Sequence, residues 1–280
     1  MPKFTDHQST KIVKMLMMAQ SGTGKSGSFA ALANAGYDLY ILDFDNGLDI
    51  LGEYLTEDGK KRTNFVTLTD EYVVKKVGST RLEGGRRGIP GEVVAPKGTP
   101  KAFADGLNLL TRWKDGDDDR GPCSELGEDA VVIIDSATFM GVAALAFTLY
   151  VNGHDQANKS DWGEAMDRQE GVLKRLCSAA FNTNVIVTSH VQFSAHEDAV
   201  GNTVEGKGYP SFLGQKLPPR VPTYFNNVVT LQNINGSRFI RTNKVSNVDL
   251  KVARPSKVAD KIPLEGGKGG LAALFEVLKS

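Results

Sequence analysis

The run Ala19-Gln20-Ser21-Gly22-Thr23-Gly24-Lys25-Ser26 constrains the fold of this chain more tightly than any other stretch. It follows an apolar segment, Ile12–Met18, and opens a helix-like segment, Lys25–Asn34. A glycine-rich turn from strand into helix lines up successive backbone N–H groups as an anion nest. The helix N-terminus adds a field that favours phosphate. The pattern is G-x-x-x-x-G-K-[ST] with Ala19 at its first position, which shapes the turn more than it contacts a ligand. Gln20, Ser21, Gly22, Thr23, Gly24 and Gly27 would wrap a nucleoside triphosphate. Lys25 would reach its outer phosphates, and the Ser26 hydroxyl would ligate Mg²⁺. ATP and Mg²⁺ are therefore the expected ligands. The competing reading is a turn that binds nothing; a strand before, a helix after and an acidic motif downstream count against it.

Short apolar runs alternate with amphipathic stretches along the chain, the pattern of an α/β fold with a mostly parallel central sheet flanked by helices. The expected strands are Ile12–Met18, Leu39–Asp43, Asn64–Leu68, Val131–Asp135 and Val185–Ser189. The expected helices are Lys25–Asn34, Lys101–Lys114, Ala137–Val151 and Trp162–Asn182. In the last, Trp162, Ala165, Met166, Gln169, Val172, Leu173, Leu176 and Ala180 share one face, and Asp161 with Glu164 resembles a capping box. Gly78–Thr99 and Ser194–Pro222 read as long loops. Asn227–Asn233 and Arg238–Lys244 flank an Asn-Gly turn and read as a hairpin that opens a C-terminal segment, 227–280. With no internal repeat or linker, residues 1–280 read as a single domain.

The strand Val131–Asp135 ends in a carboxylate, where open α/β sheets bind ligands, and Asp135 would hold Mg²⁺ through its water shell. After Leu39–Leu42 come Asp43, Asp45 and Asp49. Hydrolysis needs a group that orients the attacking water, and Asp45 is the first choice with Asp43 as fallback. Either could instead cap the next helix. His190, after the strand Val185–Ser189, would sense the γ-phosphate and pass its state into the following segment.

Bulk properties exclude some classes. The cysteines, Cys123 and Cys177, have no metal-ligand spacing and fit a reduced, cytoplasmic setting rather than a disulfide framework. No apolar run is long enough for a bilayer, so no membrane partner is expected. Lys plus Arg and Asp plus Glu both number 33, so any nucleic-acid surface has to be local. Local clusters exist: Arg81, Arg86, Arg87 and Lys97 in one segment, Lys207, Lys216 and Arg220 in the other. Phe193, Tyr209 and Phe212 lie in or beside the second and would serve as stacking platforms for single-stranded bases.

Taken together, these runs resemble the RecA-like branch of P-loop ATPases. Ile41-Leu42-Asp43-Phe44-Asp45-Asn46-Gly47-Leu48-Asp49 is similar to the stretch that carries the catalytic Glu of RecA-type recombinases, with Asp45 at that Glu. His190 falls where that family has the Gln that couples nucleotide to its DNA-binding loop, and 194–222 corresponds to the loop by position. Arg241-Thr242-Asn243-Lys244-Val245 resembles the stretch through which a neighbouring subunit contacts ATP, with Lys244 as the trans-acting cation and Arg220 as an alternative. The chain also resembles small phage-encoded RecA-like ATPases, some of which anneal single strands. The resemblance implies an ATPase that assembles as a filament or ring on single-stranded DNA and acts in recombination or strand annealing. A single-strand-binding protein is an implied further partner, and a bacterial host cell the implied location. Two other readings remain: a ring-forming helicase- or packaging-type motor, and a nucleotide-gated protein-interaction module.

Overall fold

Strands that read as unbroken apolar runs have to be covered on both faces. The computed structural model, which describes residues 11–77, 91–197, 203–245, 247–264 and 270–280, builds four of the five that way, while the edge strand Thr63–Thr67 leaves Phe65 exposed. All five expected strands form, as Lys14–Met18, Asp38–Asp43, Thr63–Thr67, Ala130–Asp135 and Asn184–Ser189. They join an eight-stranded sheet. Across the sheet the order is Thr63–Thr67, Asp38–Asp43, Ala130–Asp135, Asn184–Ser189, Lys14–Met18, Asn227–Ile234, Ser237–Arg241 and Lys261–Pro263. The first six run parallel, and the last two add antiparallel at one edge.

Side-chain alternation along each strand divides the core into two layers. Leu16, Met18, Val132, Ile134, Val185 and Val187 pack on one face with the helices Ala102–Thr111, Ala137–Asn152 and Lys159–Cys177. Met15, Met17, Val131, Ile133 and Ile186 pack on the other with Ala30–Asn34 and Gly270–Lys279. Among the described residues no helix is long and apolar enough to cross a membrane.

Several expected boundaries move. The helix expected over Lys101–Lys114 stops at Thr111, because Trp113 turns into a small hairpin, Trp113–Asp115 with Asp118–Gly121. The buried indole packs edge-to-face on Tyr40 at 5.2 Å, a tertiary contact that periodicity cannot see. The longest helix begins at Lys159 and ends at Cys177. Asn158 is its cap, accepting from Ser160 and Asp161 N–H, while Asp161 is the residue that answers it. Its buried face keeps Ala165, Gln169, Val172, Leu173 and Leu176 but not Trp162, which is 42% exposed.

Both expected loops contain strand among their described residues. Gly91–Pro96 pairs antiparallel with Tyr72–Val77; Arg81, Arg86 and Arg87 lie outside the described residues. Val191–Glu197 pairs with Thr203–Pro210, so the segment after His190 is a β-hairpin. The expected hairpin at Asn235-Gly236 forms, with φ of 52° and 84° at the two turn residues, the left-handed pair a tight I′ turn requires.

One buried charge sits at the amino end of the sheet. Lys14 Nζ donates to the carbonyls of Phe181 and Thr183 at 2.7 and 2.9 Å and lies over the Phe181 ring. Burial pulls its pKa down to about 7. Between that value and the ordinary 10.5 the unfolded chain holds the extra proton, so stability rises with pH across this window. Relative to Lys14→Met, wild type should gain up to about 1.4 kcal/mol per pH unit between pH 7.5 and 9.5 in denaturant unfolding. Parallel pH profiles for the two proteins would remove Lys14 as the source.

Candidate nucleotide site

The glycine-rich run leaves the carboxyl end of Lys14–Met18 and enters the helical turn Lys25–Ser28. Ala19 N–H donates to Ser189 O at 3.0 Å and its side chain is buried, so the first loop residue still extends the sheet. That explains why alanine is tolerated there. Gly22 and Gly24 take φ of 75° and 98°, the left-handed geometry that turns successive N–H groups toward one side. A side chain at Gly24 would also meet Arg238 Cδ at 3.1 Å and Leu264 Cδ2 at 3.3 Å.

The acidic strand ends converge on this loop. Asp135 is fully buried; its Oδ2 accepts from Ser26 Oγ at 2.7 Å and its Oδ1 from Thr188 Oγ1 at 2.6 Å. Burial raises its pKa, and the two hydroxyls and Lys25 oppose that shift. Asp43 is engaged by Gly47 N–H at 3.3 Å and Thr67 Oγ1 at 3.2 Å. Asp45 lines the cavity, and its Oδ1 is buried without a hydrogen-bond partner among the described residues. Burial, then the charges of Asp135 and Asp43, push its pKa up to about 6.

Lys25 Nζ donates to the Ala19 and Gln20 carbonyls at 3.3 and 3.1 Å. Burial lowers its pKa while Asp135 and Asp45 raise it. His190 lies on the cavity wall, edge-on to Phe139 at 5.9 Å, and burial and the Lys25 charge lower its pKa, favouring the neutral ring.

These side chains surround one cavity of about 520 Å³. Ser21, Gly22, Gly24, Lys25, Ser26 and Gly27 line it together with Asp45 and His190. Gln20 and Thr23 belong to the loop's other side, where Thr23 Oγ1 donates to Gln20 O. Asp135 lies beneath, through Ser26. Lys244 is elsewhere, 3.9 Å from Asp249, and Arg220 is held by the buried Glu170 at 2.5 Å. Sequence reading assigned no role to Thr188, Tyr54 or Arg238. Tyr54 packs against Gly27 and Arg238 against Gly24, contacts created by tertiary structure alone.

A phosphate loop with Lys25 and Ser26 at its helical end, bonded to a buried acid on a nearby parallel strand, defines a P-loop nucleotide hydrolase. The family profile of the AAA domain (AAA_24) matches residues 11–252, and the chain belongs to that family. No curated protein matches the sequence. Among solved structures it is similar to the assembled ATPase EscN, in complex with its central stalk EscO, from the type III secretion system of enteropathogenic E. coli. That match has 12% identity and a TM-score of 0.43 over 80% of this chain and 42% of that one. It is also similar to a prototypical ATPase from the type III secretion system of pathogenic bacteria, with 12% identity and a TM-score of 0.41 over 79% and 52% of the two chains. This chain thus spans about half the length of those proteins.

The raised pKa of Asp45 has a thermodynamic consequence. The folded state binds the extra proton between about pH 4 and 6, so the group costs stability as pH rises through that range and the full cost is present above it. Asp45→Asn should therefore stabilise the fold at pH 7.5, by on the order of 2 kcal/mol, and the gain should shrink below pH 5. Chemical denaturation at the two pH values reads this directly; equal stability of the two proteins at pH 7.5 would contradict it.

Proposed function

We propose that this ATPase uses nucleotide state to control binding to single-stranded DNA, as a homo-oligomer acting in recombination or strand annealing. The observation that carries the reading is the position of His190: it lies on the wall of the nucleotide cavity and at the root of the paired strands Val191–Glu197 and Thr203–Pro210. Its backbone N–H donates to Thr138 Oγ1 at 3.0 Å, Thr138 Oγ1 donates to Ser211 O at 3.0 Å, and Ser211 N–H donates to His190 O at 2.8 Å. Both arms of the hairpin are thereby fastened to one residue beside the γ-phosphate position. A change of hydrogen bonding at His190 has a short mechanical route into the hairpin.

In this reading the backbone of Gln20–Gly27 binds the phosphates and Lys25 neutralises the outer ones. The oxygen donors of Ser26 and Asp135 suit Mg²⁺, which when bound would neutralise phosphate charge; Ser26 would ligate it directly and Asp135 through water. Asp45, with its unpaired buried oxygen, would orient the attacking water. On the hairpin side, Phe193 is 36% exposed and Lys207 Nζ lies over the Tyr209 ring at 5.7 Å, the cation-and-ring combination that suits single strands. Phe212 is buried in the core and is excluded as a stacking platform. Arg220 and Lys97 are paired with Glu170 and Glu71, and Lys207 with the exposed Asp249, so Lys216 and Phe193 are the better-placed contacts.

ATP turnover by wild type should rise several-fold on addition of single-stranded DNA, and Lys25→Ala should lower it by on the order of 100-fold with or without DNA. Turnover indifferent to DNA, together with no DNA binding in the presence of ATP, would sink the DNA reading and leave the ATPase intact.

A further inference from the structure

We infer that Arg238 is a phosphate ligand acting in cis, a second cation of the nucleotide site supplied by the same chain. The inference rests on the cavity being the nucleotide site.

Arg238 follows the Asn235-Gly236 turn on the strand Ser237–Arg241. Its backbone is fixed on both sides, opposite Asn233 in the hairpin and through a 2.8 Å hydrogen bond from Leu264 N–H to its carbonyl. From there the side chain reaches over the phosphate loop. A methyl group on Gly24 would lie 3.1 Å from its Cδ and 3.6 Å from its Nε, and Arg238 lines the same cavity as Lys25 and Ser26. The absence of a side chain at Gly24 is what leaves room for Arg238 there.

The charge pattern points the same way. The two cations weighed for contact with ATP across subunits are placed elsewhere: Arg220 is paired with the buried Glu170, and Lys244 lies 3.9 Å from Asp249, which Lys207 already holds. Among the described residues Arg238 has no carboxylate partner. The cavity wall holds Lys25 and Arg238 as its cations, against Asp45 on the wall and Asp135 beneath. A polyphosphate entering that wall meets one compact ammonium and one planar fork. The fork presents paired N–H donors that match phosphate oxygens. Its place over Gly24, next to Lys25, assigns it to the phosphates.

The test is the affinity of the full chain for two probes, ATP and inorganic tripolyphosphate, measured calorimetrically for wild type, Arg238→Gln, Arg238→Lys and Lys25→Ala. Melting curves confirm that each variant is folded. Arg238→Gln should weaken both probes about tenfold or more, with Arg238→Lys recovering part of the loss. Unchanged affinity for both would overturn the inference. So would a loss confined to ATP, since the guanidinium would then face the base or ribose. Wild type binding neither probe would overturn the nucleotide assignment of the cavity and the inference with it, a result separate from an Arg238 effect that is merely missing.

Discussion

The carboxylate of Asp135 is the point on which the site is built. It is fully buried, and a buried charge persists only when its oxygens are hydrogen-bonded. Here Ser26 donates to one oxygen and Thr188 to the other. Those hydroxyls belong to the loop after Lys14–Met18 and to Asn184–Ser189, while Asp135 ends Ala130–Asp135. In the sheet these three strands are consecutive neighbours. One acid therefore ties together three strand ends that lie far apart in sequence and sets where the phosphate loop stands over the sheet. At the opposite ends Asn184 makes a comparable tie, accepting from Val13 N–H and donating to Glu128 O and Ala130 O. The central strands are pinned at both ends by side chains, and the residues between them need only be apolar.

The same clustering carries a cost. Asp45 and Asp135 share a single lysine with Asp43 close to both acids, and Asp45 bears the consequence as a raised pKa and, among the described residues, an oxygen without a partner. A chain selected for stability alone would not keep that arrangement. Its persistence beside a phosphate loop is the physical mark of a site, because groups that act on a ligand cannot be fully satisfied by their own protein.

Most of the central sheet was legible because parallel strands covered on both sides read as unbroken apolar runs. The phosphate loop was legible because its chemistry is local: glycines where φ is positive, and lysine and serine at the helix entrance. What periodicity missed was decided by contacts across the fold. Trp113 leaves its expected helix to meet Tyr40. Trp162 sits on the apolar stripe of its helix yet faces outward, beyond the reach of the core. The segment after His190 looked like a loop because its glycines and charged residues mask the alternation of a two-stranded ribbon. Thr188 and Arg238 were invisible for a simpler reason. A threonine in a β-rich run and an arginine beside a turn carry no local signal, and only the sheet order brings them to the nucleotide site.

The link from the nucleotide site to the hairpin is stiff. Gln169, fully buried, donates to Ala137 O at 2.6 Å and accepts from Leu213 N–H at 3.1 Å. Gly141 leaves room for it, since a side chain there would come within 2.9 Å of its amide. Ala137 lies two residues past Asp135, and Leu213 three residues past the hairpin, so the amide joins the strand end that bears the acid to the segment that leaves the hairpin. With Thr138 bridging His190 and Ser211, the base of the hairpin is attached to the site by two independent hydrogen-bonded links. Close-packed, fully bonded interiors shift between discrete arrangements rather than deforming gradually. A nucleotide that moved His190 would therefore have to carry both arms of the hairpin with it, or leave both in place.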